Sequence, residues 1–195
     1  MAEDNRRSTE AWLFALEAVV VAQPKRSRWR TYRGPALTVS TVEGTLLAHV
    51  THTDDTHLLL TKASGECLVR IEQFRPAKFR FTDDTGRVVG TAGAGRFIKT
   101  WQLSLQTEQG RRLLLTRRGH LSTEWQLTET DPHRNPAAEI LGRVTVSTHD
   151  AWIGLQQYVV ETAPGLDASE RRTVIASVVC LHLLRRPPGS SSAPV

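Results

Sequence analysis

The densest group of chemically capable side chains in the sequence is a basic stretch at residues 25–33. It places five cations among nine residues, with Trp29 and Tyr32 between them. Each cation contributes about 1 kcal/mol near an anionic lipid surface, and aromatic side chains favour the membrane interface. The stretch therefore predicts a site for anionic lipid headgroups or a partner surface, formed by Lys25, Arg26, Arg28, Trp29, Arg30 and Arg33. A solvated edge strand guarded by charge has the same composition and stays open as an interpretation.

Nucleic acid is a further possible partner for this stretch, because cations with interleaved aromatic rings also suit phosphates and stacked bases. We do not expect it as the partner. The whole chain carries 25 Lys and Arg against 20 Asp and Glu, for a net charge of +5. That balance permits an anionic partner without requiring one.

A second group of chemically capable residues, HVTHTDDTH, runs from His49 to His57. His49 and His57 fall in different predicted strands, and a cross-strand pair of them could bind zinc or copper. Asp54 and Asp55 have the residue types of the hairpin turn that would join those strands. We interpret the segment as a polar turn and predict no metal and no cofactor.

Three glycines, Gly90, Gly93 and Gly95 in GTAGAGRF, resemble a phosphate loop only in composition. No helix is predicted after them to supply an N-terminal dipole, so we expect a glycine-rich hairpin turn or bulge. G-x-S-x-G, H-E-x-x-H, C-x-x-C and P-loop patterns are absent from the sequence. The protein is therefore not expected to be an enzyme.

Two cysteines, Cys67 and Cys180, lie within apolar runs and are expected to be buried free thiols in a reducing compartment. Two apolar stretches, 11–22 and 174–184, are each about 17 to 18 Å long as helices, too short for the roughly 30 Å of a bilayer core. The residues before the first stretch are acidic as well as basic, which is not typical of a secretion signal. We predict a cytoplasmic protein that can lie peripheral to a membrane.

Short alternating segments separated by turn residues dominate the middle of the chain and predict a meander of hairpins, hence a sandwich or barrel. A weak repeat supports related hairpin units, with the triplets Leu46-Leu47-Ala48, Val88-Val89-Gly90 and Ile140-Leu141-Gly142 each following a polar turn. Twelve strands are predicted, at 28–33, 36–42, 45–51, 56–62, 66–74, 78–82, 87–91, 96–105, 112–117, 122–128, 138–147 and 151–160.

A helix is predicted over 168–184, where Asp167 and Glu170 have the spacing of a capping box. Its apolar residues cover every face, so it must be enclosed on all sides, and a sheet rolled around it can do this. The predicted fold is mainly β, a closed and about twelve-stranded antiparallel barrel that encloses a hydrophobic C-terminal helix. A short N-terminal helix is also predicted over 9–22, with a strand over 18–22 as the alternative.

These elements divide the chain into three parts. Residues 1–24 are predicted to be a flexible start and an apolar helix, residues 25–186 the barrel domain with its central helix, and residues 187–195 a disordered Pro/Ser tail.

The sequence resembles the tubby-like superfamily, nearest to its phospholipid scramblase and LURP-one-related branches. The similar segments are FRFTDDTGRVVG (79–90), WQLTETD followed by AAEILGRV (125–144), and YVVETAPGLDASERRTVIASVVCLHLL (158–184). The resemblance covers roughly residues 35–184 and implies a twelve-stranded barrel around a hydrophobic C-terminal helix. The chain lacks the scramblases' Pro-rich arm, cysteine cluster and calcium loop, so lipid scrambling is not expected of it.

The resemblance implies phosphoinositide binding at a basic outer surface as one function of the family. Together with the basic stretch, it predicts a non-enzymatic module that binds anionic lipid headgroups or a partner at a membrane surface. The alternative is a structural or protein-interaction domain without lipid binding, in which the N-terminal apolar segment packs onto a partner.

Overall fold

The computed structural model describes residues 13–24, 36–95, 102–119, 122–130, 139–150 and 155–185. Within these ranges twelve antiparallel strands form one closed barrel, and a helix, Ala168–Arg185, follows the last of them. The strands are β1 (Ala18–Ala22), β2 (Leu37–Ser40), β3 (Leu46–His52), β4 (His57–Lys62), β5 (Cys67–Arg75), β6 (Lys78–Thr82), β7 (Val88–Ala94), β8 (Gln102–Thr107), β9 (Arg112–Arg117), β10 (Glu124–Glu129), β11 (Ile140–Asp150) and β12 (Leu155–Thr162).

Each strand pairs with the next along the chain, and β1 closes the barrel by pairing with both β2 and β12. The closing register runs from Ala18 opposite Glu161 to Ala22 opposite Gln157. Full closure leaves no unpaired strand edge among the described strands. The predicted fold class, a closed twelve-stranded antiparallel barrel with a C-terminal and a short N-terminal helix, is confirmed.

The N-terminal prediction needs a correction. Residues 13–15 are helical, but Ala18–Ala22 is strand β1, so the helix predicted through to residue 22 is wrong there and the strand alternative is right. The β-branched side chains of Val19 and Val21 point into the core and are buried. The barrel therefore begins before residue 24, where the sequence placed a boundary. The predicted strand at 28–33 lies outside the described residues.

The helix lies at the centre of the barrel. Ten consecutive residues, Thr173 to His182, are buried, which requires protein on every side of the helix. Its few polar groups there have partners: Ser177 Oγ donates to the carbonyl oxygen of Thr173 at 2.6 Å, and Thr173 Oγ1 donates to that of Val89 at 3.2 Å. Burial raises the pKa of the Cys180 thiol well above its ordinary value.

The helix begins with the predicted capping box. The backbone N–H of Glu170 donates to Asp167 Oδ1 at 2.8 Å, and the N–H of Asp167 donates to Glu170 Oε2 at 3.0 Å. Arg111 donates to Glu170 Oε1 at 2.8 Å and to both carboxylate oxygens of Glu129 at 3.0 Å. These hydrogen bonds, those to Glu129 first, raise the pKa of Arg111. They connect the first turn of the helix to the β8–β9 turn and to strand β10.

The three triplets noted in the sequence are three β-bulges. The pairing register shifts opposite each of them, so the middle residue of each triplet is the extra one. The middle residues (Leu47, Val89 and Leu141) are buried, whereas the first residues (Leu46, Val88 and Ile140) are exposed. A similar shift makes Leu68 an extra buried residue in β5 and leaves the neighbouring Cys67 thiol only half-buried, which corrects the expectation that both thiols are buried.

The small third residue of a bulge triplet is required by close packing. A Cβ on Gly142 would lie 2.5 Å from the carbonyl oxygen of Glu161 in β12. A Cβ on Gly90 would lie 2.8 Å from Thr173 Oγ1 on the central helix. Either distance is shorter than a carbon atom tolerates, so a side chain here forces the backbone or the helix to move.

The two ends of the barrel are distinguished by the helix. Odd-numbered strands begin, and even-numbered strands end, at the end of the barrel where the helix starts. We call it the helix-start end. The opposite end, where β1 ends and the helix reaches Arg185, is the helix-exit end.

Replacing Gly142 by Ala is expected to lower the free energy of unfolding by about 1–3 kcal/mol, because the new Cβ meets backbone that cannot rotate away. Urea unfolding midpoints measure the effect. The matched control is Gly119→Ala, where a Cβ would meet nothing within 4 Å. Equal midpoints for the two variants would contradict the close approach at Gly142.

Stability should also fall at high pH because of Tyr158. Burial raises the pKa of Tyr158 to about 12, whereas an unfolded tyrosine ionises near pH 10. Below pH 10 the tyrosine is neutral in both the folded and the unfolded state, and the folded state has its full stability. As the pH rises from 10 towards 12, ionisation in the unfolded state lowers the free energy of unfolding by about 2–3 kcal/mol. The difference in unfolding free energy between wild type and Tyr158→Phe should therefore shrink from pH 9 to pH 12. A constant difference would contradict this assignment.

Candidate binding groove

The basic stretch predicted as the site, with Lys25, Arg26, Arg28, Trp29, Arg30 and Arg33, lies outside the described residues. Its described flanks are at the helix-exit end. The backbone N–H of Gln23 donates to the carbonyl oxygen of Gln156 at 3.0 Å, and that of Ala36 donates to the carbonyl oxygen of Val50 at 2.7 Å.

The alternative of a metal-binding histidine pair is contradicted by the strand register. His49 lies opposite Thr61, and His57 lies opposite Glu72, so the two histidines are not cross-strand neighbours. Asp54 and His57 belong to a polar turn, as predicted: the Asp54 carboxylate lies 2.9 Å from His57 Nδ1, and this contact lowers the pKa of Asp54 to about 2. Among the described residues no cluster of three or more metal-ligating side chains occurs.

Of the two structures expected for the glycine-rich segment, the structure has the bulge. Gly90 and Gly93 lie within strand β7, and one of the three bulges ends at Gly90, so no hairpin turn forms at these two residues. The turn before β7 is formed instead by Asp83, whose Oδ1 accepts hydrogen bonds from the backbone N–H groups of Thr85 and Arg87. Although burial opposes ionisation, these and other hydrogen bonds lower the pKa of Asp83.

Two of the three glycines, Gly93 and Gly95, line a groove of about 660 Å³ on the outer wall of strands β6 to β9. Gly93 faces outward and carries no side chain, so the wall is recessed there. Two rows of cross-strand neighbours border the recess. One row is Lys78, Gly93, Ser104 and Leu114, and the next is Arg80, Thr91, Gln106 and Arg112.

Cations stand at opposite corners of this outer-wall groove. Lys78 and Arg112 both line it and are exposed. Neither is in an ion pair with any other described residue, which leaves both positive charges for a ligand. Hydroxyl and amide groups of Thr91, Ser104 and Gln106 lie between them.

One wall of the outer-wall groove is aromatic. Phe74 is the extra residue of a bulge in β5 and is 40% exposed. The guanidinium of Arg80 lies 5.1 Å from the centre of its ring, within the range of a cation–π contact, and 3.8 Å from a Glu72 carboxylate oxygen. Cations, hydroxyl donors and an apolar wall together suit a ligand that combines phosphate and hydroxyl groups with an apolar part.

The groove residues were not predicted as a site from the sequence. They are spread over four strands, and only the pairing register brings Lys78 within two strands of Gln106. One signal was present: Thr91, Gly93 and Gly95 alternate with the inward Ala92 and Ala94, which predicts a strand whose outer face lacks bulk. The described helices include none that is long and apolar enough to cross a bilayer.

Comparison with known proteins supports the fold. No family model and no curated protein matches the chain. The chain is similar to a solved structure of a protein from Arabidopsis thaliana, with 12% sequence identity and a TM-score of 0.51 over 85% of this chain and 89% of that one. At this identity the likeness shows the fold alone: it supports the barrel that the sequence resemblance implied and leaves the scramblase branch without support.

Proposed function

We propose that this tubby-like barrel is a non-enzymatic binding module that holds anionic, phosphoinositide-like lipid headgroups in its outer-wall groove. The observation that carries the proposal is the pair of exposed cations, Lys78 and Arg112, across a recess floored by Gly93. The proposed setting is the cytoplasmic face of a membrane, to which the protein binds peripherally.

The central helix favours an outer site over an inner one. A closed barrel can bind a small ligand in its bore, but here ten consecutive buried helix residues occupy the bore. The outer wall and the ends of the barrel are the surfaces left for a ligand.

The charge of the outer wall favours an anion. On the outward faces of β5, β6 and β9 around the groove, the exposed charged side chains are Arg70, Arg75, Lys78, Arg80 and Arg112, against the half-buried Glu72. Each cation near an anionic surface adds about 1 kcal/mol to binding. Two phosphate groups could be held at the two corners while the hydroxyl groups of a ring meet Thr91, Ser104 and Gln106.

The alternative, a protein-interaction domain without lipid binding, included an N-terminal segment packed onto a partner. The structure gives that segment another role. Leu13 and Phe14 are buried in the barrel's own core, and the Arg171 guanidinium donates to the carbonyl oxygen of Ala15 at 2.9 Å. These residues are not a free apolar surface.

Neutralising both corner cations, Lys78→Gln with Arg112→Gln, is expected to weaken binding to phosphatidylcholine vesicles containing phosphatidylinositol phosphates by about tenfold or more. Co-sedimentation at physiological salt measures the affinity. Because both side chains are exposed and outside the core, the fold should be retained, as circular dichroism can verify.

The matched control is Arg87→Gln with Arg143→Gln, which removes the same charge from exposed positions outside the groove. The affinity of this control for the vesicles should stay within about twofold of wild type, because physiological salt screens the effect of distant charges on the groove. A third variant, with Arg26, Arg28 and Arg30 changed to Gln, tests the basic stretch. Equal losses in the groove variant and in the matched control would defeat the groove as the site.

A further inference from the structure

The two ends of the barrel carry opposite charge. A side chain is assigned to an end of the barrel when its residue lies in a connection at that end, in the two terminal residues of a strand there, or in the five helix residues at that end. Of the fifteen carboxylate side chains described, eleven lie at the helix-start end. Six described cations share that end, so the described residues there have a formal charge of −5. By the same count the described residues of the helix-exit end include five cations and three carboxylates, for a charge of +2.

The acidic side chains that project most freely from the helix-start end are not neutralised by neighbours. Glu43, Asp84 and Glu139 are exposed, and none is in an ion pair with another described residue. A hydrogen bond from the Thr41 side chain lowers the pKa of Glu43 further below neutral pH, where a glutamate is already charged. The helix-start end therefore repels an anionic surface.

We infer that the protein docks on an anionic membrane surface end-on, with the helix-exit end towards the lipid and the helix-start end towards the solvent. The inference rests on the proposed function and adds an orientation to it. Arg75, Lys78 and Arg118 are exposed at the docking end. Lys78 is also one corner of the groove, so a headgroup can enter the groove from the membrane side. The opposite corner, Arg112, belongs to the next row of cross-strand neighbours.

The length of the barrel favours end-on docking over docking on its side. The 18-residue helix runs between the two ends and is about 27 Å long. The Debye length at physiological salt is about 8 Å, so end-on docking moves the eleven carboxylates beyond the range of the surface charge. Docking on the side of the barrel would bring both ends within that range and would lose part of the attraction.

The orientation can be tested with a polarity-sensitive dye at either end of strand β5. Pro76→Cys, in the turn after β5, and Ser64→Cys, in the turn before it, are both exposed and are made separately in a Cys67→Ser background. On vesicles of phosphatidylcholine and phosphatidylserine, the dye at residue 76 should shift to the blue and be quenched by headgroup-proximal quenchers. The dye at residue 64 should keep its aqueous spectrum.

Charge variants give an independent readout. Arg75→Gln with Arg118→Gln should weaken vesicle binding about tenfold, whereas Glu43→Gln with Asp84→Asn should leave it within about twofold. If the protein binds vesicles but both dyes respond equally, or residue 64 responds more, the orientation is wrong and the proposed function stands. If wild type does not bind anionic vesicles at all, both fail.

Discussion

The apolar helix from Ala168 to Arg185 determines the size and the closure of the sheet around it. A helix that is apolar on every face must be buried on every side, and a closed barrel of strands can surround it in this way. The strands supply that wall with inward side chains at alternate positions, and β1 completes it by pairing with β12. Burial of the helix also affects the residues around it. At its first turn Arg111 neutralises the buried carboxylate of Glu170, and in β7 there is no room for a side chain on Gly90 because Thr173 lies against it.

Much of this architecture could be predicted from the sequence because its causes are local. Alternation in Cys67–Arg75, the Asp167–Glu170 capping box and the unbroken apolar helix each follow from neighbouring residues. Strand β1 could not be assigned firmly, because AVVVA is apolar at both helical and strand spacing, and pairing with β2 and β12 decides between them. The role of Gly90 was missed because its neighbour Thr173 is 83 positions further along the chain.

The outer-wall groove was harder to predict than the fold because it has no local sequence pattern. Its corner cations, Lys78 and Arg112, come from different hairpins, and their relation is fixed by the registers of three successive strand pairs. The charge asymmetry of the two ends is likewise invisible in composition, since it depends on which turns share an end. Because the helix fills the bore, the site we propose lies on the outside, where small outward residues in β7 leave the recess.

The order of the elements along the chain has a consequence for synthesis. The helix that fills the core is made after all twelve strands, so the inner faces of the strands have no partner while the chain is still on the ribosome. The pairing that closes the sheet joins residues as far apart as Glu17 and Thr162, 145 positions from each other. Such distant contacts form slowly. The inner apolar faces of the strands therefore lack their helix partner until residues 168–185 have been made, and exposed apolar surface of this kind favours aggregation during folding.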